Sequence, residues 1–335
     1  AEDGIRDTSH CLVGSEMCIR DRFNGDADGI CALTQLRNAH PRTAELVTGV
    51  KRDINLLERV EAGPDSRVTV LDVSLDKNRA GLERALAAGA EVYYFDHHFA
   101  GDIPEADNLN TFINTAPDVC TSLLVNNFLE GEFLEWAIVG TFGDNLKDSA
   151  RRLAKPLALN EGGLQHLENL WIYINYNGYG SSLEDLHFDP AELYRLILPY
   201  ASPFDFMSDG AEHFQKLEQG YHQDMSSAAA LAPEHKDDAV AVYMFPNEPW
   251  ARRVSGVYSN DLANGDPARG HAVLTTKANG CYLVSVRAPL SNKTGADELC
   301  MKFPTGGGRK AAAGINDLPA DMLQEFIDSF AAFYA

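Results

Sequence analysis

Two rhythms of apolar spacing divide the chain. Val68–Val73 (VTVLDV) and Glu91–Phe95 (EVYYF) are short β-branched and aromatic runs, the texture of strands buried in a parallel sheet. Between them, Asp76–Ala88 places Leu82, Ala85 and Leu86 at helical spacing. Strand, helix and strand in about thirty residues form a βαβ unit, which predicts a parallel sheet. Helices are also expected over Ile30 to about Ala39, Asp118–Leu129 and Phe133–Phe142. From Ser149 to Asp238 the pattern is mostly helical with polar breaks, and Asn175–Gly180 (NYNGYG) reads as a surface loop. Pro233–Asp238 (PEHKDD) reads as a linker. Beyond it, Ala239–Phe245, His271–Thr276 and Cys281–Arg287 read as strands and Ala251–Leu262 as a helix. Leu318–Tyr334 closes the chain as an amphipathic helix, with Met322, Leu323, Phe326, Ile327 and Phe330 on one side. The pattern predicts an α/β protein of two domains, a parallel-sheet domain with flanking helices over 23–232 and a smaller mixed α/β domain over 233–335.

Composition narrows the class. The 335 residues are 45% hydrophobic and 23% charged, enough apolar material for a core. No stretch approaches the roughly 18 consecutive apolar residues that span a bilayer. The formal net charge of −21 argues against a partner in long duplex nucleic acid, whose phosphates must be met by cations. It does not argue against a small anionic substrate, because bound metal ions invert the local field. Six cysteines without a C-x-x-C pair read as reduced thiols, and with no secretory signal in view the expected location is cytoplasmic. Cys31 and Cys120 read as small buried residues. Trp136, Trp171 and Trp250 read as core or interface, and Arg252 and Arg253 as a solvated helix face.

Residues 1–22 stand apart. They mix charges, Gly and Cys without periodicity, and CLVGSEMCIRDR resembles a translated sequencing-adapter string. This segment is therefore set aside from fold reasoning. The strand that should run into Phe23 is expected to be damaged.

Candidate chemistry gathers at the expected carboxyl ends of strands. Four clusters recur there: Asn24-x-Asp26-x-Asp28, Asp72, Asp96-His97-His98 and Asp144. Ligands collect at this edge of a parallel sheet. Carboxylates and imidazoles together suit Mn²⁺, Mg²⁺ or a similar divalent ion, and without a cation so many acids would repel one another. Singly, each Asp is a helix cap or turn residue more often than a ligand. Four clusters at one edge favour a metal.

The same residues carry a family resemblance. GDADG, LDVS, Asp96-His97-His98 and GDN in that order resemble the DHH phosphoesterase superfamily. Thr305-Gly306-Gly307-Gly308-Arg309-Lys310-Ala311-Ala312-Ala313-Gly314 is similar to the GGGH-x-x-AAG motif of the DHH-associated C-terminal domain, and Val284–Arg287 to its S-x-R. The resemblance implies an active site in a cleft between two domains and two divalent ions, Mn²⁺ with Mg²⁺ or Co²⁺ as substitutes. Asn24, Asp26, Asp72, His97 and Asp144 would be the ligands, with Asp72 shared between the ions. His98 would stand beside the substrate phosphate, so that His98 and Asp72 are the catalytic pair. Asp96 and Asp28 would orient those groups from behind. Arg287, Gly306, Gly307, Gly308 and Arg309 would bind substrate, the glycines by backbone N–H groups and the arginines by their forks.

Two positions depart from the pattern. Asn24 replaces the first aspartate of D-x-D and brings an amide oxygen without charge. Arg309 replaces the motif's His, which favours a ligand with an extra terminal phosphate or carboxylate. The expected activity is metal-dependent hydrolysis of a phosphoester bond in a small nucleotide or short oligonucleotide. Two ions roughly 3.5–4 Å apart can hold a hydroxide for in-line attack. A pyrophosphatase or polyphosphatase, and a non-catalytic nucleotide-binding protein, are the alternatives. No membrane partner is expected, and a homodimer is compatible with the sequence.

Overall fold

The computed structural model describes residues 18–335, which form two compact units. The first holds the described residues up to Trp171 together with Pro190–Gly210, and the second holds Ile172–Asp189 with Ala211–Ala335. No helix among the described residues is long and apolar enough to cross a membrane.

The first unit begins β1 (Cys18–Phe23), α1 (Ala27–Ala39), β2 (Glu45–Val47), β3 (Ser66–Leu71), α2 (Leu75–Ala87), β4 (Glu91–Asp96) and β5 (Leu109–Ile113). These strands make one parallel sheet in the order β2-β1-β3-β4-β5. The period-2 pattern of β3 and β4 sends Val68, Val70, Val92 and Tyr94 to one face, where they pack with Leu75, Leu82 and Ala85 of α2. The other face takes α1, then α3 (Thr121–Phe128) and α4 (Leu134–Gly143). A Cβ on Gly140 of α4 would stand 2.0 Å from Ser122 Oγ and 3.2 Å from Cys31 Cβ, so glycine lets α4 lie against α3 and α1. Trp136, Cys31 and Cys120 are fully buried, as expected.

β1 corrects the expectation of a damaged first strand. Cys18–Phe23 pairs over six residues with β3 and over three with β2, so 18–22 of the excluded segment form a central strand. Its charges are accommodated rather than expelled. Asp21 and Arg37 of α1 make a buried ion pair, and Arg37 also donates to Thr69 Oγ1 (3.1 Å). Arg22 is fully buried and donates to Glu45 Oε1 (3.2 Å), while its Nε has no partner. The expectation for residues 1–17 lies outside the described residues. Cys18 is disulfide-bonded, against the expectation of reduced thiols throughout. Cys31, Cys120, Cys281 and Cys300 are free.

The chain continues through α5 (Lys147–Ala154), α6 (Glu161–Gly178), α7 (Pro190–Ile197), α8 (Pro203–Asp209) and α9 (Ala211–Ala229). The loop expected at Asn175–Gly180 is the end of α6 as far as Gly178. Asn177 Oδ1 accepts from the amides of His187 and Phe188, and its Nδ2 donates to Phe188 O. Those long-range bonds satisfy the side chain within a helix and override its local turn preference.

The second unit adds β6 (His235–Lys236), β7 (Val240–Phe245), α10 (Pro249–Gly265), β8 (Gly270–Thr276), β9 (Tyr282–Arg287), α11 (Ala296–Cys300), β10 (Gly306–Arg309), β11 (Ala312–Leu318) and α12 (Leu323–Tyr334). Its sheet runs β10-β11-β9-β8-β7-β6, with β7 and β8 parallel and the other neighbours antiparallel. α12 packs Phe326, Ile327 and Phe330 on one face, while Ala251, Val254 and Tyr258 of α10 pack on the other. The expected linker holds β6, which pairs with β7. Leu318 belongs to β11 rather than to the closing helix. Arg252 and Arg253 are not a solvated face. Arg252 pairs with Asp185 at 2.5 Å, and Arg253 is buried against Asp224 at 2.8 Å.

Candidate metal centre

The strand ends deliver the acidic residues to one place. Asn24 follows β1, and its N–H donates to Leu71 O (3.2 Å). Asp26 caps α1, accepting from Gly29 N at 3.1 Å, and its other oxygen meets Lys51 Nζ at 2.7 Å. Asp72 follows β3 and donates its N–H to Phe95 O (3.0 Å). Asp96 ends β4, with His97 and His98 next in the chain, and Asp144 caps the C-terminus of α4.

His97 is the hub. Its Nε2 lies 3.3 Å from Asp144 Oδ2, 3.4 Å from Asp72 Oδ1 and 4.0 Å from Asp28 Oδ2. Two groups of donor atoms result, Asp72 with His97 and His98, and Asp28 with His97 and Asp144, each lying within 4.8 Å. Asp96 Oδ1 holds His98 Nδ1 at 2.7 Å. Asp28 is fully buried at the start of α1, and its carboxylate accepts from Thr121 N (2.8 Å) and Ser122 N (2.7 Å). Thr121 Oγ1 donates to Asp72 Oδ1 at 3.1 Å. Asp72, His97, His98 and Asp144 thus converge, whereas Asp26 stands outside both donor groups, tied to Lys51, and Asn24 Nδ2 donates to Lys51 O. Asp28, expected behind the ligands, lies among them. Lys51, Thr121 and Ser122 were not singled out from the sequence. Two of these act through backbone N–H groups, which leave no mark in a residue pattern.

The electrostatics are those of several buried acids held close together. Burial pushes the Asp72 carboxyl well above the usual range, and Asp26, Asp28, Asp144 and Asp96 add to the rise. Burial, with Asp28 beside it, brings Asp144 to about 6. Burial raises Asp26 too, but Lys51, the Gly29 amide and a hydrogen bond with Asp72 together hold it below the usual carboxylate value. The hydrogen bond to Asp96, opposed by burial, raises His98 above the ordinary histidine value. Asp72 also sits at φ 60°, a left-handed conformation costly for a residue with a Cβ and concentrated at functional sites. Asn24 Oδ1, Asp96 Oδ2 and His97 Nε2 are buried with no hydrogen-bond partner among the described residues. A carboxylate–imidazole set with orphaned donor atoms fits a divalent ion.

A pH-dependent metal effect follows. Asp144 titrates near 6 in the fold against 3.8 when free. A raised pKa stabilises the metal-free fold fully below the free value and is lost as pH rises through about 6. A bound cation replaces that proton. The rise in Tm on adding Mn²⁺ to EDTA-treated protein should therefore be small at about pH 5 and several-fold larger at about pH 8. Melting curves in both buffers check this, and an equal or larger rise at the lower pH contradicts it.

In the second unit, Arg309, Ala312 and Arg287 are successive partners across β10, β11 and β9, so both arginines lie on one transverse row of the sheet. Arg287 Nε donates to Asn260 Oδ1 (2.7 Å) and its Nη1 to Ser285 Oγ (3.0 Å); burial lowers its pKa. Arg309 is exposed. The three glycines differ. A Cβ on Gly306 would stand 1.8 Å from Cys300 O, and Gly308 has φ 145°. Gly307 has open space where a Cβ would stand, so packing does not require glycine there, and it pairs with Gly314 across β10 and β11.

Comparison with known proteins agrees with this arrangement. Residues 16–158 match the DHH family, N-terminal domain. No curated protein matches the chain. A crystal structure of the exonuclease RecJ bound to manganese is similar, with a TM-score of 0.60 at 18% identity, covering 95% of this chain and 90% of that one. RecJ from Thermus thermophilus in complex with Mn²⁺ gives 0.63 at 18% identity over 95% of this chain, which spans only 52% of that protein. PggH from Vibrio cholerae, described as a pGpG-specific phosphodiesterase, gives 0.56 at 13% identity, covering 95% of this chain and 98% of that one. The fold class expected from the sequence is thus the observed one, a parallel-sheet unit and a mixed-sheet unit in a RecJ-like arrangement of strands and helices. Residues 16–158 thus carry the N-terminal domain of the DHH family, on a fold similar to that of RecJ.

Proposed function

We propose that this chain hydrolyses a phosphoester bond in a small nucleotide or a very short oligonucleotide, with two divalent ions, Mn²⁺ foremost. The observation that carries the reading is the His97 imidazole, whose buried Nε2 makes no hydrogen bond among the described residues and lies near the Asp72 and Asp144 carboxylates. Asn24, Asp26, Asp72, His97 and Asp144 are the proposed ligands, and the position of Asp28 supports adding it to them. The ions, when bound, supply a metal-activated hydroxide at neutral pH and charge neutralisation at phosphorus.

The chain's own residues do the rest. Thr121 and the two amides on Asp28 fix the carboxylates in orientation. Asp96 holds His98 Nδ1 and keeps the ring cationic to higher pH, which suits its Nε2 to donate a proton to a phosphate or leaving oxygen. Arg287, Arg309 and the backbone of Gly306, Gly307 and Gly308 are proposed to take the substrate's anionic part. The proposed division of labour is a phosphoesterase domain over 23–232 and a substrate-binding domain over 233–335. RecJ and PggH, named for nucleic-acid and dinucleotide chemistry, support a nucleotide substrate class.

The test is release of phosphate or nucleotide from pAp, dinucleotides and bis-p-nitrophenyl phosphate by EDTA-treated protein, with and without Mn²⁺. Mn²⁺-stimulated turnover of a nucleotide is expected. Activity on pyrophosphate alone would make the chain a pyrophosphatase, and tight nucleotide binding without turnover a binding protein.

A further inference from the structure

A second cavity, of about 210 Å³, lies in the first unit, away from the acidic cluster. It opens on the sheet face that carries α1, beside the first two transverse rows of β1, β3 and β4. Those rows are Ile19–Arg67–Glu91 and Asp21–Thr69–Tyr93. The acidic cluster begins at the far ends of the same strands, so four residue steps along β3 take the chain from Arg67 to Leu71, roughly 13 Å at strand rise.

The walls have a definite chemistry. Tyr93, Phe95 and Phe128 supply aromatic surface, and Phe128 is left 40% exposed although it packs edge-on against Phe95. Among the described residues no carboxylate lines the cavity, while three arginines and His40 do, in a chain of net charge −21. Two of the arginines are already neutralised. Arg37 is paired with Asp21, and Arg67 with Glu91 at 2.6 Å, with its guanidinium 5.2 Å from the centre of the Tyr93 ring. Arg42 is exposed and bonds only its neighbour's carbonyl, Pro41 O, at 3.2 Å, without a carboxylate among the described residues. A flat apolar floor with one uncommitted guanidinium at its mouth matches one kind of molecule.

We propose that this cavity is a binding site for a small aromatic anion, its ring on Phe128 and Tyr93 and its carboxylate or phosphate on Arg42. Aromatic surface accepts the ring by area and edge contacts, and the fork of Arg42 accepts two oxygens of the anion. A neutral ring forfeits the second interaction and inorganic phosphate the first, so neither alone satisfies the site.

Calorimetric titration in EDTA tests this without any contribution from metal. Benzoate and phenyl phosphate are the probes, with benzamide and inorganic phosphate as controls. One equivalent of an arene anion should bind saturably, and both controls at least about tenfold more weakly. The tighter of the two arene anions identifies carboxylate or phosphate as the favoured head. Arg42→Ala and Phe128→Ala should each weaken binding about tenfold or more, and both sites are exposed enough for the variants to fold, which melting verifies. Arg152→Ala, a surface arginine elsewhere in the unit, should leave affinity unchanged. Absence of saturable binding, equal affinity for benzamide, or an Arg42→Ala protein that binds as well as the parent overturns the proposal. Because the measurement is made without metal or turnover, its failure leaves the hydrolase reading untouched.

Discussion

Asp72→Asn should abolish Mn²⁺-dependent phosphoester hydrolysis and, in EDTA, raise the melting temperature. The two effects share one cause. Asp72 is almost fully buried among four other carboxylates, which, after burial itself, hold its pKa up. At about pH 8 its ionised form is therefore a cost to the metal-free fold, and an amide of the same shape removes it. Asn also tolerates the left-handed backbone that Asp72 occupies at φ 60°, so the exchange adds no new strain. The hydrogen bond from Thr121 Oγ1 has an amide oxygen to accept it. With the ion present the balance reverses, because the charge that destabilised the empty cluster is the charge that holds the cation. Loss of an outer partner of a metal site costs roughly 10- to 100-fold in activity or affinity, and loss of the proposed shared ligand should exceed that. Turnover of bis-p-nitrophenyl phosphate and paired melts with EDTA and with Mn²⁺ read both halves. A variant that retains activity removes Asp72 from the mechanism, whereas one that melts lower in EDTA removes the repulsion argument.

The acidic cluster was legible because its residues close strands whose apolar rhythm is strong. Val68–Leu71 is buried throughout and Val92–Phe95 all but Tyr93, so these runs announce themselves and the acids that follow fall at a known edge. Elements without such a rhythm were missed. β2 has three residues and little burial, and β10 is three glycines and an arginine, with almost no side-chain pattern to read. Asn177 and Arg253 were misjudged because their partners are distant in sequence. Phe188 and Asp224 decide whether a turn former ends inside a helix and whether an arginine goes inside. The contributions of Thr121 and Ser122 to the site are amide donations at the start of α3, a property of chain direction rather than of residue type.

β1 carries the last and largest stability prediction. C-I-R-D-R-F is an unusual sequence for the interior of a parallel sheet, whose strands are normally near-continuous apolar runs. Asp21 and Arg22 point to opposite faces and should respond oppositely. Asp21→Ala strands Arg37, a nearly buried guanidinium left with Thr69 Oγ1, and should cost about 3–5 kcal/mol. Replacing both partners, as in Asp21→Val with Arg37→Leu, should recover that loss, because a buried ion pair exchanged for apolar groups of similar volume is neutral or stabilising by about 1–4 kcal/mol. Arg22 has no comparable partner. Among the described residues its Nε makes no hydrogen bond and its one ion pair is with the half-exposed Glu45, its Nη1 reaches only the carbonyls of Asp21 and Glu45 (3.3 Å each), and burial lowers its pKa to about 10. Its register neighbours are Val47 and Val70. Arg22→Val would continue that row as an apolar cross-strand contact and should raise stability, with the Tm of the metal-loaded and metal-free chain moving together. Denaturant melts of the three variants read the signs. If Arg22→Val is as destabilising as Asp21→Ala, the buried guanidinium is a structural requirement of the sheet. If it stabilises, β1 is a strand that the sheet holds in place despite its side chains. Its pairing then comes from backbone hydrogen bonds to β2 and β3 and from Phe23, rather than from the charges it buries.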